Sequence, residues 1–333
     1  MDAASAINPD VIIFLAGMFV IGEAMRESGY LFHLFNRIFC RAKNLDQLLL
    51  LILFAMGFLS ALLMNDTLAI IGTPLMLYLA QALRISPKLL LLTLAFAVTT
   101  GSTMSPIGNP QNLLIAINGS LANPFLVFFQ YLFIPTVANL FLAYLLLRLF
   151  YKSQFQHTAI EVPKKCISDP ALANISRISI IMLLILILAK VLAVTVQSSQ
   201  HFSLTYIAIF SALPVILFSS RRWEIMKHID WCTLVFFAAM FVLMVSVFLS
   251  QIISNVPFVA LFQPLLINPS AQDLMALAAG STIAGNLFIL GATSNVIIIQ
   301  NAEKSGETLT FLDFARVGVP LTALNVFVYW IFL

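Results

Sequence analysis

Residues 89–116 read LLLLTLAFAVTTGSTMSPIGNPQNLLIA, two apolar runs joined by a stretch rich in glycine, proline and polar side chains. The run is long enough to cross a membrane, which takes about 20 residues of apolar helix. Proline and glycine near its centre interrupt the helical hydrogen bonds. Irregular backbone is tolerated at membrane depth only where it faces protein or a polar cavity. The stretch therefore predicts a broken transmembrane helix beside a polar site.

The composition of the whole chain indicates a membrane protein. Of its 333 residues, 61% are hydrophobic and 9% are charged, and the mean hydropathy is +1.01. A soluble domain carries about 25% charged residues, so lipid must solvate most of this surface. The apolar runs predict spans or partial spans at residues 10–28, 48–63, 68–83, 89–116, 129–151, 175–196, 204–218, 231–249, 256–267, 274–300 and 317–333.

The distribution of basic residues predicts the orientation. If residues 48–83 form a hairpin that enters and leaves on the inner side, 16 of the 17 Lys and Arg residues lie inside, and Lys190 lies within a span. A simple up-and-down threading would divide the basic residues between the two sides. The positive-inside rule therefore favours the hairpin and places the linker that carries Lys164 and Lys165 in the cytoplasm.

The two halves of the chain repeat each other in four places, and the matches follow in the same order. Each is weak alone, but together they indicate an internal duplication. The matched pairs are FLAGMFV at 14–20 with FFAAMFV at 236–242, the Asn65 to Pro74 spacing with the Asn255 to Pro264 spacing, GNPQN at 108–112 with GATSN at 291–295, and Pro135 with Pro320.

The predicted fold is an all-α polytopic membrane protein made of two inverted repeats. The topology puts the first hairpin inside and its counterpart outside, as in many secondary transporters with inverted repeats. Each repeat is expected to contain a re-entrant hairpin and a broken transmembrane helix. The expected boundaries are residues 1–152 for the first repeat, 153–174 for the cytoplasmic linker and 175–333 for the second repeat.

The second repeat is shorter than the first between two matched landmarks. Met18 and Asn65 lie 47 residues apart, whereas Met240 and Asn255 lie 15 apart. A helix rises only about 1.5 Å per residue, so the residues before Asn255 are too few to descend from the outer face to mid-membrane. We therefore predict that about 32 residues, an outer loop and much of a hairpin arm, are lacking between residues 244 and 254.

Polar residues cluster where the apolar spans break. Half-helix N-termini at such breaks suit an anion, and exposed carbonyls suit Na⁺. The candidate substrate- and ion-binding residues are Asn65, Asp66, Thr67, Ser105, Gly108, Asn109, Pro110, Gln111, Asn112, Ser254, Asn255, Asn286, Gly291, Thr293, Ser294 and Asn295. A coupling Na⁺ is expected near Asn65, Asp66 and Asn112, and near Asn255 and Asn295.

Asp66 is the only acid that the predicted topology places near the bilayer centre. A charged side chain there costs about 2.5–3.5 kcal/mol on insertion scales. We interpret Asp66 as the carrier of a coupling charge, and a structural cap of the hairpin arm is the alternative. Glu23 stands three residues before Arg26, a spacing that favours a local ion pair.

Three motifs resemble those of the ion transporter superfamily: MNDT at 64–67, PIGNPQN at 106–112 and ISNVP at 253–257. That group contains the ArsB/NhaD permeases, the divalent anion:sodium symporters and the citrate transporter-like proteins. The resemblance covers nearly the whole chain and is greatest to bacterial inner-membrane permeases of the ArsB/NhaD branch. It implies two re-entrant hairpins, two unwound helices with the substrate site between them, and often an elevator movement in a dimer.

The resemblance also assigns residues to the two halves of the site. They are Asn65, Asp66, Thr67, Asn109 and Asn112 in the first half, and Ser254, Asn255, Thr293, Ser294 and Asn295 in the second. The sequence departs from the pattern because Val256 and Pro257 stand where the first half has an acid and a threonine. Sodium-coupled carboxylate symporters typically carry Ser-Asn-Thr at both tips, so the departure argues against a two-sodium carboxylate mechanism.

The expected function is secondary active transport of a small anion, such as a carboxylate, arsenite-like solute or other oxyanion, by alternating access coupled to Na⁺ or H⁺. A Na⁺/H⁺ antiporter of NhaD type is the alternative that Asp66 supports. A membrane enzyme would need paired acids, a histidine metal site or an activated nucleophile, and a non-transporting membrane protein would not need duplicated broken helices. We expect no cofactor and no nucleic acid, a homodimer, and a bacterial or archaeal inner membrane.

Overall fold

The computed structural model describes residues 9–156, 169–195, 203–231, 234–235 and 255–333. These residues form helices and short 3₁₀ segments, with no strand among them. The helices are α1 (Pro9–Glu27), α2 (Tyr30–Phe39), α3 (Leu45–Leu63), α4 (Asn65–Leu83), α5 (Pro87–Ser102), α6 (Pro110–Asn118), α7 (Pro124–Phe150), α8 (Pro170–Thr195), α9 (Leu204–Phe218), α10 (Arg222–His228), α11 (Asn255–Phe262), α12 (Ala271–Ile283), α13 (Thr293–Glu303) and α14 (Phe311–Phe332).

Five of the described helices, α3, α4, α7, α8 and α14, are long and apolar enough to cross a membrane. Large apolar side chains point outward along α8 and α14, among them Ile185, Leu188, Phe327 and Trp330. Such surface is stable against lipid and not against water. The prediction of an all-α polytopic membrane protein is confirmed.

Both predicted broken helices are present. The run at 89–116 divides into α5 and α6, and the run at 274–300 divides into α12 and α13. Residues 103–109 separate the first pair. Residues 284–292 separate the second pair and contain two 3₁₀ segments, Ala284–Asn286 and Ile289–Gly291. Pro106 and Gly108 lie in the first break, and Gly285 and Gly291 lie in the second.

Helices α3 and α4 form the predicted hairpin, which turns at Met64. At the start of α3, Asp46 lies 3.1 Å from Arg148 near the end of α7. After the end of α4, the backbone N–H of Ser86 donates to Gln154, which follows α7, at 3.2 Å. Both open ends of the hairpin therefore lie beside the C-terminal end of α7, as a chain that enters and leaves on one side requires.

Charged residues at helix ends collect on this same side of the protein. Lys88 at the start of α5 lies 2.7 Å from Asp313 at the start of α14. Arg221, just after α9, lies 2.8 Å from Glu27 at the end of α1 and 3.9 Å from Asp169 before α8. These pairs tie together helix ends that the positive-inside argument assigns to one face.

Several boundaries differ from the sequence prediction. The final span begins at Phe311 and not at residue 317, because the capping box of Thr310 and Asp313 starts α14 within a polar segment that hydropathy excludes. Helix α8 begins at Pro170, inside the predicted linker. Helices α2 and α10 were not predicted, because each is shorter than the unit of about 17–25 residues used to find spans.

Some predictions fall outside the described residues. These are most of the span at 231–249, the linker residues Lys164 and Lys165, and the shortened segment between residues 244 and 254. The pairing predicted for Glu23 is confirmed, since Arg26 donates to its carboxylate from Nε at 2.8 Å and from Nη2 at 2.6 Å.

Candidate substrate and ion site

Four helices begin around one small cavity, which we call the central cavity. Its lining comes from the N-terminal ends of α4, α6, α11 and α13, namely Asn65, Asp66, Pro110, Gln111, Asn255, Val256, Ala292 and Thr293. Its volume is about 10 Å³, enough for about one water-sized particle. Because a helix N-terminus carries a partial positive charge, the four ends together favour negative charge in the cavity.

The tip of the α3–α4 hairpin is fixed against the break of the first broken helix. The backbone N–H of Asn65 donates to the carbonyl of Gly108 at 2.9 Å, and its side-chain amide lies 3.4 Å from the hydroxyl of Ser294. Met64 turns the chain with φ 70°, a backbone conformation that favours glycine. A non-glycine residue held there indicates strain of the kind found at functional sites.

Asp66 is the most unusual side chain of the site. It is 1% exposed, and neither carboxylate oxygen has a hydrogen-bond partner among the described residues. Its backbone N–H is satisfied by the side-chain oxygen of Asn65 at 3.0 Å. A buried carboxylate without a partner is costly while charged, so it requires a proton or a bound cation.

Two asparagines hold the first helix break open. Asn109 caps α6 by accepting from the N–H of Asn112 at 2.8 Å, and its amide donates to Ser102 at 3.0 Å. The amide of Asn112 lies 3.2, 3.2 and 3.0 Å from the carbonyls of Ser102, Thr103 and Ser105. The broken helix frees these carbonyls, and Asn112 supplies the donor that burial demands.

The second break is held in a related way. The amide of Asn295 donates to the carbonyl of Gly285 at 2.7 Å, and the amide of Asn255 donates to the carbonyl of Gly291 at 2.8 Å. Asn286 donates to the hydroxyl of Thr100 in the first half at 3.0 Å. The second break is therefore bonded to α5 of the first half as well as closed within itself.

A further bridge between the halves runs through Thr282. Its hydroxyl accepts from the amide of Asn109 at 3.2 Å and donates to the side-chain oxygen of Asn112 at 3.3 Å. The helices of the two halves also pack across each other. Helix α4 of the first half packs against α13 of the second, and α11 of the second half packs against α6 of the first. Each half thus packs one helix against the second half-helix of the other half.

The structure divides the predicted site residues into two groups. Those that line the central cavity are Asn65, Asp66, Pro110, Gln111, Asn255 and Thr293. Those that build the breaks or lie beside them are Ser105, Gly108, Asn109, Asn112, Asn286, Gly291, Ser294 and Asn295. Thr67 lines a neighbouring cavity, and Ser254 lies outside the described residues.

The four asparagines expected near bound Na⁺ do not all reach the central cavity. Asn65 and Asn255 line it, whereas Asn112 and Asn295 do not. Their amide groups are engaged with backbone carbonyls that the broken helices release. Sequence analysis also missed Val256 and Ala292, which line the cavity through backbone position and carry no polar side chain that would single them out.

The sequence can now be compared with known proteins. Residues 1–245 match the profile of the citrate transporter family, CitMHS. The chain belongs to the citrate transporter family. This family falls within the ArsB/NhaD-like ion transporter superfamily, which confirms the resemblance found in the three motifs.

Relatives of this citrate transporter family member carry transporter or membrane-protein names. It is 25% identical to the 46 kDa membrane protein of Mycobacterium leprae over 99% of this chain and 86% of that protein. It is 26% identical to the uncharacterized transporter Rv2684 of Mycobacterium tuberculosis over 97% of this chain and 85% of that one. The human P protein is 23% identical over 96% of this chain, which spans 52% of its length.

Together, the family, the relatives and the apolar helices show that this citrate transporter family member is an integral membrane transporter. The alignment with the Mycobacterium leprae protein runs over 384 positions, more than the 333 residues of this chain. That relative therefore has residues without a counterpart here. The shortened segment between residues 244 and 254 stays a prediction.

Proposed function

We propose that the protein is a secondary active transporter that moves a small anion by alternating access, coupled to Na⁺ or H⁺ at Asp66. One observation supports this most: a buried carboxylate that has no hydrogen-bond partner among the described residues stands at a cavity formed by four helix N-termini. The N-termini attract an anion, whereas the carboxylate repels one until a cation neutralises it. Anion binding is thereby linked to cation binding.

The anion would bind where the helix ends converge. Backbone N–H groups at helix N-termini are an established means of holding carboxylates and oxyanions without a buried basic residue. Gln111, Asn255 and Thr293 add side-chain groups at the same place. We therefore place a carboxylate, arsenite-like solute or other oxyanion between α6 and α13, with citrate a reasonable first substrate to test in view of the family name.

The cation has two candidate positions. The first is Asp66, with the side-chain oxygen of Asn65 adjacent. The second surrounds Gly285, where the buried side-chain oxygens of Thr99, Asn286 and Asn295 have no hydrogen-bond partner among the described residues. Neutral oxygens of this kind suit a hard cation such as Na⁺. Both positions agree with the sodium sites expected from the sequence.

The alternating-access mechanism rests on the relation between the two halves. The equivalent helices α7 and α14 run antiparallel, since Thr136 bonds Tyr329 at 2.8 Å while Arg316 lies 5.3 Å from the ring of Phe150. Equivalent helices of opposite direction are what inverted repeats require. We infer from this pairing and from the reciprocal packing of hairpin arms that residues 1–152 and 175–333 are inverted repeats.

The size of the central cavity indicates that the protein must change shape to bind an anion. A volume of about 10 Å³ accepts one water-sized particle and not a molecule such as citrate. The hairpin arms α4 and α11 must therefore move away from α13 and α6. In this proposal the transport cycle alternates which hairpin withdraws.

A Na⁺/H⁺ antiporter of NhaD type is the second candidate. It is favoured by the same cavity volume, which suits a single bound ion, and by Asp66, which could exchange H⁺ for Na⁺. The two functions differ in one respect, because an antiporter dissipates a pH gradient on addition of Na⁺ without any anion. The orientation with Lys164 and Lys165 in the cytoplasm, an inner-membrane location and a homodimer complete the proposal.

The proposal is tested by flux into proteoliposomes. Uptake of labelled citrate, succinate and arsenite is measured with an inward Na⁺ gradient, with an inward H⁺ gradient and with neither. Anion transport predicts that at least one anion accumulates only under a cation gradient. If no anion accumulates and Na⁺ alone collapses a pH gradient, the antiporter is correct. If neither occurs, the coupled transporter is wrong.

A further inference from the structure

A second polar cavity adjoins the site on the side of α1. This lateral chamber has a volume of about 110 Å³ and lies between α1, α4 and the residues that follow α10. Its polar and charged lining consists of Glu23, Arg26, Thr67, His228 and Asp230. A volume of that size holds several water molecules, so the chamber is large enough for a partly hydrated ion.

The hydroxyl of Thr67 is a buried polar group that a ligand in the chamber would satisfy. Thr67 is 3% exposed, and its Oγ1 has no hydrogen-bond partner among the described residues. A buried hydroxyl without a partner costs free energy unless water or an ion satisfies it. Because Thr67 lines the chamber, that partner would have to come from the chamber itself.

The charges of the chamber favour a cation over an anion. Glu23 and Arg26 form an ion pair at 2.6 Å and largely cancel each other. Asp230 is a second acid in the lining and acts electrostatically on Asp66, so the carboxylates of the lining outnumber its guanidinium two to one. A polar pocket with a negative balance concentrates cations and repels anions.

The chamber reaches the proposed coupling site through one residue. Thr67 lines the chamber and Asp66, directly before it on α4, lines the central cavity. A Cβ added to Gly22 of α1 would overlap the methyl group of Thr67, so α1 and α4 are in close contact at this point. Adjacent residues of α4 therefore line the two cavities, and Thr67 is the one on the side of the chamber.

We propose that the lateral chamber is the route by which a small monovalent cation reaches Asp66 from the face that carries Lys88 and Arg221. This rests on the proposed function, because it assumes that Asp66 binds the coupling cation. The anion would not share this route. The cation would pass the Glu23, His228 and Asp230 side chains, meet the Thr67 hydroxyl and transfer to Asp66 when the side chain of Thr67 rotates.

Thiol chemistry tests the route without relying on transport. Thr67→Cys is made in a background with Cys40, Cys166 and Cys232 replaced by serine, and Thr93→Cys on α5 serves as the matched control. Thr93 is fully buried and satisfied by the carbonyl of Leu89 at 2.7 Å. Each purified variant is checked for monodispersity and treated with 2-(trimethylammonio)ethyl methanethiosulfonate, which carries a fixed positive charge, or 2-sulfonatoethyl methanethiosulfonate, which is anionic.

We expect Thr67→Cys to react with the cationic reagent about tenfold faster than with the anionic one, and Asp230→Asn to reduce that preference. Thr93→Cys should stay unreactive with both. In sealed vesicles of known orientation, the reaction should proceed from the face of Lys88 and Arg221 only. Equal inertness of both cysteines, or reaction from the opposite face, would overturn the route. Because the readout is the mass of the modified protein, it stands even if Asp66 proves uninvolved in coupling.

Discussion

Asn112 and Asn295 hold the same position in two broken helices, the third residue of α6 and of α13. Each donates its side-chain amide to a backbone carbonyl of the preceding break, Asn112 to Ser102 at 3.2 Å and Asn295 to Gly285 at 2.7 Å. The donors and the acceptors are separated by the same number of residues, 10 in each half. This correspondence of hydrogen bonds supports the internal duplication predicted from the sequence.

The two asparagines should nevertheless differ in their effect on stability. Asn112→Ala removes the amide contacts with three carbonyls, of which Ser102 and Ser105 keep backbone donors, and it also removes the acceptor of the Thr282 hydroxyl. Asn295→Ala removes one hydrogen bond, to the carbonyl of Gly285. A buried group left unsatisfied costs about 1–3 kcal/mol, so Asn112→Ala should lower the unfolding midpoint in detergent by the larger amount. Asn118→Ala at the exposed end of α6 is the control and should have little effect. Equal losses for Asn112→Ala and Asn295→Ala would contradict this assignment.

The contact between α3 and α5 should not tolerate a methyl group. A Cβ at Gly101 would overlap the backbone of Gly57, which has no side chain that can move away. We expect Gly101→Ala to destabilise the protein by about 1–3 kcal/mol or more. At Gly280 of α12 a Cβ meets nothing within 4 Å among the described residues. Gly280→Ala should therefore be neutral or stabilise by about 0.5–1 kcal/mol, since alanine is the better helix former.

Thermal unfolding of the two glycine variants, followed by size-exclusion chromatography after heating, measures this difference. A Gly101→Ala protein as stable as the wild type would show that α3 and α5 are farther apart than the structure has them.

Two ion pairs, each between residues three positions apart, should contribute differently to stability because one is buried and the other is exposed. Glu23 is 8% exposed and accepts two hydrogen bonds from Arg26, whereas Glu224 is 56% exposed and pairs with Arg221 at 2.6 Å. Glu23→Gln should cost about 1.5–3 kcal/mol because it weakens hydrogen bonds to a charged group. Glu224→Gln should cost less than about 1 kcal/mol. Denaturation midpoints of both variants measure the two losses of stability. A larger loss for Glu224→Gln than for Glu23→Gln would contradict the role given to burial.

Sequence analysis predicted the parts of the fold that depend on local pattern. Apolar length predicted the spans, and the GNPQN string at 108–112 predicted both the break and the start of α6 after Asn109. The match of 108–112 with 291–295 predicted the start of α13 in register. Charge distribution predicted the hairpin of α3 and α4, since its ends share a face with the C-terminal end of α7.

The parts that the sequence did not reveal depend on contacts between distant residues. Thr282 bridges Asn109 and Asn112 across 173 and 170 positions, and no motif surrounds it. An asparagine at a helix break can face a cavity or satisfy a carbonyl. Only the packed structure shows that Asn112 and Asn295 satisfy carbonyls, whereas Asn65 and Asn255 reach the cavity.

The central claim is that Asp66 carries the coupling charge. Asp66→Asn keeps the size of the side chain but fixes it as neutral, so the hairpin tip should fold normally and move without a bound cation. The decisive measurement compares cation-driven uphill uptake with equilibrium exchange of the transported anion, for wild type and Asp66→Asn reconstituted side by side at several pH values. The account predicts that the variant loses accumulation and its dependence on Na⁺ or pH, while exchange persists. Gradient-driven uptake in Asp66→Asn equal to that of the wild type, with the same pH dependence, would contradict the account and leave Asp66 a structural cap.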